Sequence, residues 1–124
     1  MGFLLVGIGG ALGAMARYGV ARLIGPSLAF PWSTFIVNVA GGFLMGLLAG
    51  WLAARADAGA EPLRLLLGVG VLGGFTTFSA YSLDLHLLIA RGDWLTAALY
   101  ALGSMLLALL ALMAGLWLMR TLLP

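Results

Sequence analysis

Ten residues past the middle of the chain read Gly73-Gly74-Phe75-Thr76-Thr77-Phe78-Ser79-Ala80-Tyr81-Ser82. Two glycines followed by β-branched and hydroxyl residues are poor helix formers. Apolar sequence flanks them on both sides, so a loss of helix here would expose backbone groups to hydrocarbon. An unpaired backbone group costs several kcal/mol there, and a break survives only where protein, water or an ion satisfies it. Freed carbonyls are good ligands for a hard cation such as Na⁺, and freed amides suit an anion. Phe78 and Tyr81, three residues apart, set two rings on one face of the segment after the break. Ring edges are weakly positive, so these two could face a small anion without carrying charge.

Other polar residues repeat at helical spacing. Asn38 and Thr34 are four apart, as are Ser104 and Tyr100, and each pair therefore shares a helix face. Neutral donors on two helices could line a narrow path; equally, they could hold helices together by hydrogen bonds. Arg17 and Arg22 lie late in the first apolar stretch. Arg22 is placed to snorkel. Arg17 either snorkels or caps carbonyls of a neighbouring helix, a structural role preferred to direct ion binding. Asp84, three residues past Tyr81, is expected at a wet mouth, and His86 at the membrane interface with no chemistry assigned.

These residues must be held by membrane helices. The 124 residues are 64% hydrophobic and 8% charged, against about 25% charged in a soluble domain, and the mean hydropathy is +1.17. No water-soluble chain of this length hides so much apolar surface. A net charge of +2 with scattered arginines excludes a nucleic-acid partner. The absence of Cys and the single His remove disulfides, thiolate nucleophiles and His-rich or Cys-rich metal sites. No carboxylate pair lies at depth, and no Ser–His arrangement or phosphate loop appears, so no enzyme is expected. Gly7, Gly9, Gly10 and Gly13 superficially match a nucleotide fingerprint, but that motif needs a preceding strand.

Crossing a bilayer takes roughly 20 apolar residues, and four stretches qualify: about 2–24, 33–54, 63–89 and 94–120. The fold class expected is an all-α integral membrane protein, a single transmembrane domain over 1–124, with the third helix broken between Gly73 and Ser79. Gly25-Pro26 closes the first stretch, Ser33 is expected to cap the second, Pro62 suits the start of the third, and Asp93 can cap the fourth. The first stretch lacks a basic leader and reads as an anchor rather than a signal peptide. Trp32, Trp51, Trp94 and Trp117 fall near helix ends, as an aromatic belt in the lipid bilayer requires.

Charge leaves the orientation balanced. Arg55, Arg64 and Arg120 would lie on one side, with Arg22, Arg91 and the more ambiguous Arg17 toward the other. Positive residues normally favour the cytoplasm, so such balance reads either as weak bias or as insertion both ways into an antiparallel dimer. Gly42, Gly46 and Gly50, and likewise Gly9 and Gly13, repeat every four residues. Such close-packing faces would serve within one subunit or between two.

Three blocks carry a resemblance: Gly9-Gly10-Ala11-Leu12-Gly13-Ala14-Met15-Ala16-Arg17-Tyr18, Pro31-Trp32-Ser33-Thr34-Phe35-Ile36-Val37-Asn38 with Gly41, and Gly73-Gly74-Phe75-Thr76-Thr77-Phe78-Ser79. The chain resembles the fluoride channels of the Fluc (CrcB) family over its whole length. The resemblance implies an antiparallel, dual-topology homodimer in the bacterial inner membrane with two fluoride pores. It implies a structural Na⁺ at the dimer centre, held by backbone carbonyls of Gly73 and Thr76. It places Phe78, Tyr81 and Asn38 along the fluoride path, with Thr34, Tyr100 and Ser104 as a hydroxyl-lined track, and Arg17 as the family's first-helix arginine. The chain departs from the family in having Tyr81 where Phe is usual, Ser33 where Gly is frequent, and Ala108 one turn beyond Ser104 where a hydroxyl is expected.

The expected function is therefore passive export of cytoplasmic fluoride. HF crosses membranes neutral and ionises inside, so a pore that passes F⁻ down its gradient suffices. Two other readings compete. A small multidrug-type transporter needs a carboxylate in its first helix, and none is present there. A structural subunit of a membrane complex would leave the Gly73–Ser79 stretch without a purpose.

Overall fold

So few charges in so long an apolar sequence leave helix as the way to satisfy the backbone in hydrocarbon. The structure, a computed structural model, describes residues 1–55, 57 and 59–124. Helix α1 spans Gly2–Ile24 and α2 spans Trp32–Ala54. The third span, Ala60–Ala90, is built from α3 (Ala60–Leu63), a π-type segment (Arg64–Leu72), α4 (Gly73–Phe75) and α5 (Phe78–Ala90). Helix α6 spans Trp94–Leu122. All four spans are long and apolar enough to cross a membrane, and the chain is a multi-pass membrane protein.

Local chemistry sets the ends. Helix α2 begins one residue before the expected Ser33: Pro31 is its cap residue, and the Pro31 carbonyl accepts from the Phe35 N–H at 3.1 Å. No side-chain capping hydrogen bond is made at that cap residue. The third span starts at Ala60 rather than 63, with Pro62 inside its first turn, where a missing N–H costs nothing. At the start of α6, Asp93 Oδ1 accepts from the Thr96 N–H at 3.3 Å. The chain reaches that cap through Gly92 at φ +75°, a backbone conformation open to glycine at no steric cost.

Two glycine seams hold the helices together inside one subunit. Gly9 and Gly13 of α1 meet the backbone of the third span at Leu66, Gly70 and Val71, and a Cβ on Gly9 would stand 2.9 Å from the Gly70 Cα. Gly42, Gly46 and Gly50 of α2 lie on α6, against Ala108, Leu112 and Met119, while Gly115 of α6 returns the contact at the Phe43 carbonyl. Side chains there would drive backbones apart. With no water to expel, close packing is the main attraction between helices in lipid.

The surface is correspondingly apolar. Among the described residues, the buried hydrophobic ones are Val37, Leu72, Leu88, Ala97 and Tyr100, while Leu, Ile, Met and Phe residues of all four spans are exposed. Three of the four tryptophans, Trp32, Trp94 and Trp117, are also exposed. Trp51 lies under the Arg55 guanidinium at 4.7 Å, a cation–π contact at the end of α2.

Candidate functional site

The third span leaves helical geometry at two residues. Thr76 has φ −83° and ψ 155°, and Thr77 has φ −151° and ψ 121°. Gly73–Phe75 before them and Phe78 after them are helical. The Thr76 N–H and Thr76 Oγ1 both donate to the Leu72 carbonyl, at 3.0 and 2.9 Å. That bond closes α4. Thr77 opens α5: its Oγ1 accepts from the Ala80 N–H at 3.2 Å, the usual work of an N-cap threonine.

Asn38 pairs with the extended residue from the facing helix. Asn38 Nδ2 donates to the Thr77 carbonyl at 3.0 Å, and Asn38 Oδ1 accepts from the Thr77 N–H at 2.8 Å. The side-chain amide thus replaces both partners that a continuous helix would have given Thr77. One N–H of the Asn38 amide remains for another acceptor. Gly41, one turn further along α2, has no side chain because the Thr76 methyl occupies that space.

Around this junction lies a cavity of about 330 Å³, lined by Asn38, Thr76, Thr77, Phe78, Tyr81, Ser104, Met105 and Ala108. Four of the residues singled out in the sequence for an anion path, Asn38, Phe78, Tyr81 and Ser104, therefore converge. The Phe78 and Tyr81 rings stand 5.5 Å apart and tilted by 39°. Phe78 is 79% exposed, a large value for an aromatic ring. Ser104 is only 4% exposed, and its Oγ has no hydrogen-bond partner among the described residues. A buried hydroxyl in this state has a donor and an acceptor to offer. The Tyr81 hydroxyl is engaged, donating to the Ala101 carbonyl at 2.9 Å.

The remaining candidates lie elsewhere. Tyr100 is fully buried, packs its ring 5.2 Å from that of Tyr81 at a 52° tilt and donates its hydroxyl to Asp84 Oδ2 at 3.0 Å. It supports the cavity wall from behind. Thr34 lines a separate cavity together with Arg17, Tyr18 and Ser33. Arg17 donates from Nε to the Gly74 carbonyl at 3.1 Å, so the first-helix arginine holds the end of α4. Asp84 also borders a third cavity with Ser27, Pro31 and Arg91, near the ends of α1, α2 and α5.

Two lining residues were not singled out in the sequence. Thr77 stood in the marked stretch without a role, though a threonine just before a resumed helix is an N-cap signal. Met105 carries no polar signal and enters the lining only through its place beside Ser104. The carbonyls at the junction are distinctive as well. Among the described residues, no hydrogen bond reaches the Gly73 or Thr76 carbonyl. The amide of Thr77, which would serve Gly73 in a continuous helix, is bound to Asn38.

Comparison with known proteins places the chain in a family. The model of the family described as CrcB-like protein, Camphor Resistance (CrcB), matches residues 4–116. The chain is 60% identical over 121 residues to the fluoride-specific ion channel FluC of Phenylobacterium zucineum, covering 94% of each chain. It is 55% identical to the FluC of Novosphingobium aromaticivorans, covering 93% of each. It is 51% identical to that of Hyphomonas neptunium, covering 96% of this chain and 95% of the relative. With the match running through all four spans and across the Thr76–Thr77 junction, the chain belongs to the CrcB family.

Proposed function

We propose that the chain is a fluoride-selective channel that lets cytoplasmic F⁻ leave the cell passively. The observation that carries this reading is the cavity where Asn38, Phe78, Tyr81 and the unpartnered Ser104 hydroxyl meet beside the Thr76–Thr77 junction. F⁻ is small and strongly hydrated, so a path for it must replace water with close, short donors. A hydrogen bond to a charged group contributes about 1.5–3 kcal/mol. Donors at Asn38 and Ser104, with ring edges at Phe78 and Tyr81, supply partial replacements along one wall. A larger anion gains less from each donor and fits a narrow path less well. The relatives named fluoride-specific ion channels support the same substrate.

The path needs a second wall, because Phe78 is 79% exposed and Gly73 is exposed in the single chain. An antiparallel, dual-topology homodimer in the bacterial inner membrane supplies it, and the balanced arginines agree with insertion in both orientations. The third span then functions as a broken helix whose extended pair faces the partner. The Gly73 and Thr76 carbonyls, with no donor found for them among the described residues outside the helical ladder, suit a hard cation that takes oxygen ligands. Sodium held by these carbonyls from both subunits would supply a fixed positive charge at the dimer centre. Within the chain, Asn38 and Arg17 hold the backbone that presents those carbonyls.

The test is fluoride efflux from liposomes that contain the purified chain alone, read with a fluoride electrode and run beside a chloride control. Fast fluoride release without chloride release is expected. An intact dimer that releases no fluoride would reject the reading and favour a subunit that needs a partner.

A further inference from the structure

The Tyr81 hydroxyl is committed to the protein. It donates to the Ala101 carbonyl of α6 at 2.9 Å. The ring beneath it is held on two sides, 5.5 Å from Phe78 and 5.2 Å from Tyr100. The tie therefore joins α5 to α6 at a fixed level, three residues before Ser104.

That level matters because of how a helical serine behaves. Its hydroxyl ordinarily turns back onto a carbonyl three or four residues earlier. For Ser104 these are Ala101 and Tyr100. Ser104 makes neither bond: its Oγ is buried and has no partner, although leaving a buried hydroxyl unpaired is costly. The Ala101 carbonyl, one of its two local acceptors, is the one that Tyr81 holds. Ser104 and Tyr81 also border the same cavity.

We propose that Tyr81 is a positioning residue for Ser104. By occupying the Ala101 carbonyl and fixing α5 against α6, its hydroxyl keeps the Ser104 proton free to meet the anion in the cavity. The Tyr81 O–H keeps donating to the Ala101 carbonyl throughout, so Tyr81 gives the ion its ring and not its hydroxyl. This inference rests on the reading of the cavity as a fluoride path. It makes the Tyr81 hydroxyl a device that presents the buried serine, in a chain whose next turn carries Ala108 and no second hydroxyl.

A double-mutant cycle on fluoride efflux tests it, using the unmodified chain, Tyr81→Phe, Ser104→Ala and the double variant, each first shown to run as an intact dimer. Removing the hydroxyl reopens the Ala101 carbonyl, and Ser104 turns back for part of the time. Flux falls with the fraction of competent serine, about three- to tenfold. Ser104→Ala slows flux at least as much, and the double variant is no slower than Ser104→Ala. A purely structural tie, or a tyrosine hydroxyl that binds the ion itself, would instead slow both backgrounds by the same factor. That equal slowing would overturn the proposal, as would no slowing by Tyr81→Phe in either background. An unmodified chain that passes no fluoride rejects the channel reading itself, a result distinguishable from every pattern within the cycle.

Discussion

Replacing Asn38 by Leu removes both hydrogen bonds that stabilise the extended backbone at Thr77. In the native chain the Asn38 amide gives and receives one bond, at 3.0 and 2.8 Å. If Thr76 and Thr77 kept their conformation, one amide and one carbonyl would lose their partners. Each buried unsatisfied group costs about 1–3 kcal/mol, so the pair costs about 2–6 kcal/mol. A side-chain hydrogen bond between membrane helices averages only about 0.6 kcal/mol. The larger figure applies because two backbone groups depend on one side chain, with no helical partner at hand. The chain has one escape, which is to close the third span into continuous helix and return the Thr77 N–H to the Gly73 carbonyl. That rewinding would turn and shift α5, carrying Phe78 and Tyr81 away from Ser104. Either response abolishes the cavity's geometry, so fluoride flux falls at least tenfold, while the stability loss measures how far the span rewinds. The assay pairs liposome efflux with reversible unfolding of the purified protein in mixed micelles. An Asn38→Leu chain that conducts at the native rate and loses under about 0.5 kcal/mol would refute the reasoning, since that is the size of an incidental surface change.

Three further outcomes are expected. Phe78→Ile removes an aromatic ring that lines the cavity while keeping apolar bulk, so flux stops and size-exclusion chromatography still gives the elution position of the unmodified chain; native flux would take Phe78 out of the path. Replacing Na⁺ on both sides by a large organic cation weakens flux or dimer assembly if the Gly73 and Thr76 carbonyls hold sodium, whereas unchanged flux and assembly after exhaustive exchange would reject the cation site. Because the chain contains no Cys, Leu123→Cys gives a single label near the C-terminus: about half of the molecules in sealed inverted vesicles should react with an impermeant thiol reagent under dual topology, and labelling of all or none would mean one fixed orientation.

Hydropathy made the four spans legible, because length and apolar content are what a bilayer demands. The turn at Arg91–Asp93 was equally readable, since glycine in a left-handed conformation followed by a capping Asp is a local signal. The start of α2 was not, because Pro31 and Ser33 compete as caps and only the local backbone decides between them. The two glycine stripes were visible, but their partners were not. Whether Gly46 meets α6 of the same chain or of another depends on the path of the whole chain, and the structure places it against Leu112.

The candidate site was legible in its residue types and less so in their connections. Asn38, Phe78, Tyr81 and Ser104 stood out as polar or aromatic groups at membrane depth. Spacing alone paired Thr34 with Asn38 and Tyr100 with Ser104. The structure puts Thr34 with Arg17 in another cavity and turns the Tyr100 hydroxyl toward Asp84. Residues one turn apart share a face but not a depth, and a wide side chain such as Tyr reaches past its neighbour. The Asn38–Thr77 pairing was hidden for a different reason: it joins positions 39 residues apart in sequence, which no local pattern records.

The central claim is passive, fluoride-selective conduction, and a planar-bilayer recording tests it most directly. With fluoride at unequal concentrations on the two sides and chloride gradients opposed, the current should reverse at the fluoride equilibrium potential and ignore the chloride and proton gradients. A current that reverses at the chloride potential, follows the proton gradient, or fails to appear from the intact, folded protein would contradict the account.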